Sequence, residues 1–401
     1  MIIFWIISAI LLFYLVFPFI TVLFSLFTKD RTIENQKRKP QTAYDYAHII
    51  TAYRNADIAK GLVQSLIAQS YSKHHIYLIA DNADISNWDI KHHKLTVLRP
   101  DPALNLKVKS IIYARENYVR THDYAIIWDA DNLAHPEFTQ LVNYYANAGY
   151  KAIQGQRTAK NLNTVMAGAD ALGEFYKNYI ERLVPPRLGS STVISGSGMA
   201  VEQNLYDSYL YGEDITKGKE LWKKMMQEDK ILQNHILRAN TQIVYVKEAI
   251  CYDEKVTNAK EVETQRSRWL YSYFQNLPNS TGFIGRGVLN FNWNKLFFGL
   301  VTFAPPLFIL LGLSGLCFLV SLLVSNTLAI SFFIALSIFV GNIFFCLYLS
   351  DAPPMVWKAV GAIPSFILRQ FTALFKMANP NKNFKHSEHK VSVGIEELLK
   401  K

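Results

Sequence analysis

Cysteine is scarce in this chain. Its three cysteines, Cys251, Cys317 and Cys346, fall at no spacing that suggests a disulfide framework or a cysteine-built metal knuckle. No GxGxxG follows a strand-like run, and GxxxxGK[ST] is missing. A dinucleotide site of the usual kind and a P-loop are therefore not expected. Internal repeats and low-complexity tracts are lacking too. So is any basic stripe with interleaved aromatics, which argues against nucleic acid as a partner although the net charge is +10.

Charge is also missing from two long runs, and there the absence is informative. Residues 2–27 carry none, and a bilayer core needs only ~20 helical residues. A cleaved secretory signal would have a basic start and a shorter apolar core. Neither is present, so a retained transmembrane helix is expected. The second apolar block gives two further spans, 296–324 with Pro305-Pro306 inside it and 328–349, parted at Ser325-Asn326. Lys29, Arg31, Lys37, Arg38 and Lys39 follow the first run, and Lys382, Lys385, Lys390, Lys400 and Lys401 lie in the tail. Basic flanks stay cytoplasmic. The expected topology is a multi-pass protein of the cell (inner) membrane with its central region and C-terminus inside. Anionic membrane lipid is the natural partner of these flanks. In 354–377, Lys358, Ser365, Arg369, Thr372 and Lys376 share one helical face, with Trp357, Ile363, Phe366, Ile367 and Phe375 around the rest. That pattern suits a helix lying in the interface.

The expected divisions are a transmembrane helix at 1–28, a linker at 29–43 and a catalytic domain at 44–272. An interfacial segment at 273–295, two spans within 296–350, an amphipathic helix at 354–378 and a cytoplasmic tail at 379–401 follow.

The central region alternates. Strands are expected at 47–52, 76–80, 95–98, 124–128 and 152–154, with helices at 56–69, 110–120 and 136–148. That order implies an α/β, parallel-rich sheet with helices on both faces. In such sheets a ligand sits beyond the C-terminal ends of the strands. Three polar clusters fall there: Tyr53-Arg54-Asn55, Asp81-Asn82 and Asp129-Ala130-Asp131.

Four motifs carry candidate chemistry. Asp129 and Asp131 flank a small residue just past an apolar strand and suit a hard divalent cation, Mg²⁺ or Mn²⁺, bound with a diphosphate; a plain turn is the competing explanation. Gln227-Glu228-Asp229 precedes an apolar helix at 231–239. A carboxylate there suits a general base, Asp229 ahead of Glu228, whereas an acidic first helical turn accounts for the pair without function. In Gln265-Arg266-Ser267-Arg268-Trp269, Arg268 suits a diphosphate and Trp269 a sugar face, against a juxtamembrane basic–aromatic anchor. Ser195-Gly196-Ser197-Gly198 allows a close backbone approach, or a simple turn.

The order of these motifs, Asp81, DxD, Ser-Gly-Ser-Gly, Glu-Asp, QxxRW and then apolar spans, resembles the membrane-embedded family 2 glycosyltransferases. The cellulose, hyaluronan and poly-N-acetylglucosamine synthases and ceramide glucosyltransferase belong there. The resemblance covers about 45–272 and implies a GT-A-like fold and an inverting enzyme. Residue by residue, it implies that Tyr53 flanks the uracil and Asp81 contacts the base, with Asp84 nearby. It implies Lys109 near the diphosphate, and Asp129 and Asp131 on the nucleotide-sugar and metal. Asp229 would be the catalytic base, while Gln265, Arg268 and Trp269 close over diphosphate and acceptor. Ser197, Gly198 and Glu228 fall on the acceptor side. Gln227 stands where the family has threonine. The implied donor is a UDP-sugar, and the acceptor is a growing polysaccharide or, alternatively, a membrane lipid. A non-catalytic scaffold of the same fold is the third possibility, disfavoured because every candidate acid is present.

Overall fold

A computed structural model describes residues 1–221, 227–255, 259–363 and 394–399, with side chains described except at 218–221 and 259–264. The chain divides into two compact units. One comprises Asp30–Leu162 and Ser191–Val256 with the C-terminal residues, and the other Met1–Lys29, Asn163–Ser190 and Thr257–Met377.

The first unit holds the whole sheet. Its strands are β1 (Tyr46–Asn55), β2 (His74–Asp84), β3 (Leu95–Leu98), β4 (Tyr124–Asp129), β5 (Leu133–Ala134), β6 (Ala152–Ala159), β7 (Met199–Glu202) and β8 (Ile243–Asp253). They lie in the order β3-β2-β1-β4-β7-β6-β8-β5. The β3-β2-β1-β4 half is parallel. β7 enters antiparallel between β4 and β6, and β5 runs antiparallel to β8. The parallel-rich α/β fold expected from the alternation is present, with three short or late strands that the pattern did not announce.

The central strands read as near-continuous buried runs, as parallel strands covered on both faces do. Tyr46, Ile50, Leu78, Ile126 and Trp128 form one core with Leu62, Leu66, Phe138, Val142 and Cys251. Trp128 packs against Phe138 with ring centroids 4.7 Å apart and the planes tilted by 58°, and donates its indole N–H to His48 Nδ1 at 3.0 Å. Burial keeps that histidine well below its ordinary pKa and hence neutral.

Register carries the polar clusters to one edge. Tyr53 lies opposite Asp81 on β2, and Thr51 opposite Asp129 on β4. The strand ends therefore emerge together. The helix expected at 110–120 spans Lys107–Glu116, which draws Lys107 into the first turn beside β4.

The second unit is helical. Three of its helices among the described residues are long and apolar enough to cross a membrane: Ile2–Ser25, Leu307–Val324 and Asn326–Leu349. The span expected at 296–324 is broken. One helix covers Trp293–Phe303, and the next begins at Leu307. Pro305 and Pro306 explain the break: proline has no N–H to donate and pushes the preceding residue extended. Ala304 adopts φ −50, ψ 129 accordingly. The long helix Ala259–Leu289 packs against Trp293–Phe303, with Ser280 Oγ donating to Thr302 Oγ1 at 2.9 Å. Of the interfacial helix expected at 354–378, only Pro354–Lys358 and the 3₁₀ turn Ala359–Ala362 fall within the described residues.

Candidate active site

The sheet unit gathers most of the candidate residues at the C-terminal edge of β1, β2 and β4. Asp81 is almost fully buried. Its two oxygens accept the main-chain N–H groups of Leu104 (2.8 Å) and Asn105 (2.7 Å). Asn105 takes the left-handed φ of 54, a region that asparagine tolerates better than most residues. Its side-chain oxygen receives the Tyr53 hydroxyl at 2.9 Å. Asp81 thus ties the 101–106 loop to Tyr53 and shapes that side of the crevice. Asp84 is exposed and turned to its own loop, accepting from Ser86 N at 2.8 Å.

The centre of the site is an ammonium. Lys107 Nζ lies 2.6 Å from Asp129 Oδ1, 3.4 Å from Glu228 Oε1 and 3.4 Å from the Gly196 carbonyl. One lysine therefore touches the DxD, the Glu-Asp pair and the Ser-Gly-Ser-Gly loop. Burial works against its charge, but Asp129 and Glu228 hold its pKa well above the ordinary lysine value. Burial raises the Glu228 carboxyl, Lys107 pulls it back and Asp229 raises it again, leaving it pushed up to about 7. The sequence pointed to Lys109. That residue is half-buried, donates its main-chain N–H to Leu106 O, and sits two residues beyond the lysine that meets Asp129. Lys107 opens the helix just after the Asn105 turn.

Asp131 is buried at 7 % exposure, and Asn132 beside it accepts the Asp129 N–H at 3.1 Å. No group of three or more His, Cys, Asp or Glu side chains capable of holding a metal exists among the described residues. The donor set is thus two carboxylates on one loop. Mg²⁺ commonly binds through one or two carboxylates and completes its shell with substrate phosphates and water. These residues fit an ion that arrives with a diphosphate, and do not form a closed protein cage.

Gly196 and Gly198 both lie in the left-handed region, at φ 88 and 61. A Cβ on Gly198 would stand 2.9 Å from Cys251 Cβ, and one on Gly196 would stand 3.6 Å from Asp229 Oδ2. The glycines therefore let the loop pass under the carboxylate pair. Ser197 is fully buried with its hydroxyl 3.5 Å from the Cys251 thiol, so its side chain shapes the loop from below. Glu228 and Asp229 open the helix Glu228–Arg238, and Tyr209 fixes the turn by donating to Glu228 O at 2.6 Å.

Gln265, Arg268 and Trp269 belong to the helical unit, on the helix Ala259–Leu289. There Arg266 donates to Asp170 Oδ1 at 2.5 Å and lies 4.7 Å over the Trp269 ring. Burial lowers the Arg268 pKa, though a guanidinium stays charged. Trp269 is 40 % exposed. Several residues with polar roles escaped the motifs: Asn105, Asn132, Lys160 and Asp253. They are single residues, each with at least one partner remote in sequence.

A family model described as "Glycosyltransferase like family 2" matches residues 43–272. Among solved structures, the chain is similar to S. aureus TarS residues 1–349 in complex with UDP, with 11% identity and a TM-score of 0.37 over 55% of this chain and 63% of that one. It is similar to S. aureus TarS at 13% identity and TM-score 0.39, covering 60% and 40%. The TarS 1–349 complex with UDP-GlcNAc gives 9% identity and 0.38, covering 60% and 66%. This chain spans less than two thirds of each of those chains. No curated protein matches the sequence significantly.

Proposed function

This chain belongs to glycosyltransferase-like family 2, and from that premise we propose that it moves a sugar, with inversion, from a UDP-sugar to an acceptor at the cytoplasmic face of the membrane. The observation that carries the reading is the Lys107 node. A single ammonium within 2.6 Å of Asp129 and 3.4 Å of Glu228 sits where a diphosphate would need a positive charge.

On this reading the uridine lies along Tyr53 and the loop held by Asp81, and the diphosphate meets Lys107. Asp129 and Asp131 are the residues that would hold Mg²⁺ or Mn²⁺, whose charge neutralises a departing diphosphate. Asp229 takes the proton of the acceptor hydroxyl. The oxygen bonds to the anomeric carbon as the bond from that carbon to the diphosphate breaks and UDP leaves. In the sheet unit the Gly198 loop is assigned to the acceptor side, and in the helical unit the QxxRW motif assigns Arg268 and Gln265 to a diphosphate and Trp269 to a sugar face. Glu228, with a carboxyl near neutrality, is the second candidate for the proton.

The acceptor proposed is a growing polysaccharide. Single-sugar transfer to a membrane lipid is the second reading, and it is favoured by the modest number of spanning helices, three among the described residues. Product size from the enzyme in detergent separates the two: long polymer, or a lipid carrying one sugar. Asp229→Asn tests the base. Transfer is expected to fall by roughly 10²–10⁴-fold with UDP binding retained, and substantial residual transfer in a folded variant would refute the assignment.

A further inference from the structure

We propose that Lys160 and Asp253 are positioning residues that set the Asp129–Asp131 loop from beneath. The inference rests on the nucleotide-sugar reading above. Lys160 follows β6 and is 8 % exposed. Its ammonium donates to the main-chain carbonyl of Asp131 at 2.9 Å and lies 3.5 Å from the Glu254 carboxylate. Asp253 ends β8. Its Oδ1 accepts from Asn132 Nδ2 at 3.2 Å, and its Oδ2 from the buried Lys255 ammonium at 2.9 Å. Arg157 lies 3.8 Å from the same Oδ2 and donates to Ser195 O at 3.2 Å. Asn132 in turn receives the Asp129 N–H.

Both residues are fixed to the frame. Ala159 and Asp253 close the β6–β8 register, and Lys160 N donates to Asp253 O at 2.7 Å. Asn161 clasps Lys255 in both directions, at 2.7 and 3.0 Å. Pairing of Leu133 and Ala134 with β8 already anchors the loop downstream. The bonds from Lys160 and Asp253 to the loop meet Asp131 and Asn132, the second carboxylate residue and the residue between it and that anchor. Burying charge is costly unless it is paired; Lys160 and Asp253 are paired with Glu254, Lys255 and Arg157, and each also bonds the loop, which points to a role in loop geometry beyond the fold itself.

The test measures UDP binding to the full chain in detergent, with Mn²⁺ titrated and also with EDTA. Lys160→Met and Asp253→Asn are each expected to raise the half-saturating Mn²⁺ on the order of ten-fold or more, the usual effect of losing a supporting partner of a metal ligand. UDP binding in EDTA should be unchanged, and Lys160→Arg should recover most of the Mn²⁺ response. An unchanged Mn²⁺ requirement in both variants overturns the proposal. Loss of UDP binding in EDTA as well overturns it in favour of a role in the fold alone. Wild-type protein whose UDP binding ignores Mn²⁺ would instead sink the metal-assisted nucleotide-sugar reading itself.

Discussion

Removing the Lys107 ammonium is the sharpest perturbation of this site. In Lys107→Met the apolar stem is kept and the charge is lost. Asp129 and Glu228, 2.6 and 3.4 Å from that charge, are left with no cation between them. Depriving a buried charge of its partner costs ~3–5 kcal/mol. The Asp129 side chain keeps 38% of its exposure, so water screens part of the loss, while Glu228 at 18% is screened less. About 2 kcal/mol is the reasonable expectation after that discount. For a domain of ~150–250 residues this lowers Tm by roughly 5 °C. Transfer should fall by roughly 10²-fold, the usual cost of deleting one preorganised charge-stabilising group. The double variant Lys107→Met/Glu228→Gln separates the two effects. It removes the less exposed of the two orphaned carboxylates, so Tm should recover by at least half, whereas UDP-sugar turnover stays low. Melting curves and UDP release on the three proteins decide the matter. Wild-type turnover in Lys107→Met would refute the reasoning. Recovery of turnover together with Tm in the double variant would show that the lysine only holds the site together.

Other perturbations test neighbouring links. Gly198→Ala forces a side chain into φ 61 with its Cβ 2.9 Å from Cys251 Cβ, and should cost about 2–4 kcal/mol from left-handed strain and overpacking, read as a lower Tm; an unchanged Tm would contradict the close packing. Burial, with Asp229 beside it, pushes the Glu228 carboxyl up to about 7 in the folded chain, against the ordinary 4.5. Folded protein thus holds a proton that unfolded chain has released between those pH values, so stability falls as pH rises from 4.5 to 7, by at most about 3 kcal/mol. Glu228→Gln should flatten that part of the Tm-against-pH curve, and an equal slope in the variant would remove Glu228 as its source. Tyr53→Ala should raise the donor KM with little change in kcat, because a face that flanks the base contributes equally in ground and transition states; a kcat effect alone would place Tyr53 elsewhere.

Much of the fold was legible because it rests on continuous apolar runs. Tyr124–Asp129 reads as a buried strand from its residues alone, and the carboxylate at its end follows from the chain simply leaving the sheet. β7 was not legible. Met199–Glu202 is four residues long and owes its place to antiparallel pairing on both sides, information that no local window contains. The span at 296–324 was misjudged because hydropathy sums over Pro305-Pro306, whereas the backbone responds to each proline. In the site, the motifs named acids and Arg268 directly, while the lysine was placed by resemblance at Lys109. Lys107 and Lys109 are two apart, just over half a helical turn, so only one of them can face Asp129. Only the start of the helix at Lys107 resolves the choice, and a lysine there gives no cap signature. Lys160 was invisible for a different reason: its partner is a main-chain carbonyl, which carries no residue identity to pattern-match.

The two aspartates of the DxD are bonded at different atoms, Asp129 at its carboxylate and Asp131 at its main-chain carbonyl, and this bears on how the site would work. Lys107 bonds the Asp129 side chain, so an incoming anion can compete for the same ammonium and release the carboxylate. Lys160 bonds the Asp131 main chain, so its hold survives whatever the Asp131 carboxylate does. The Asp129 carboxylate is therefore exchangeable, while at Asp131 it is the backbone that is held. A diphosphate that draws Lys107 toward itself frees Asp129 at the moment when another carboxylate oxygen is wanted beside Asp131. It also leaves Glu228 facing a new negative charge, which raises its proton affinity further. Donor binding near pH 7 should then take up a fraction of a proton, with the uptake lost in Glu228→Gln. On this reasoning a single competing anion at Lys107 would loosen its hold on Asp129, Glu228 and the Gly196 carbonyl together.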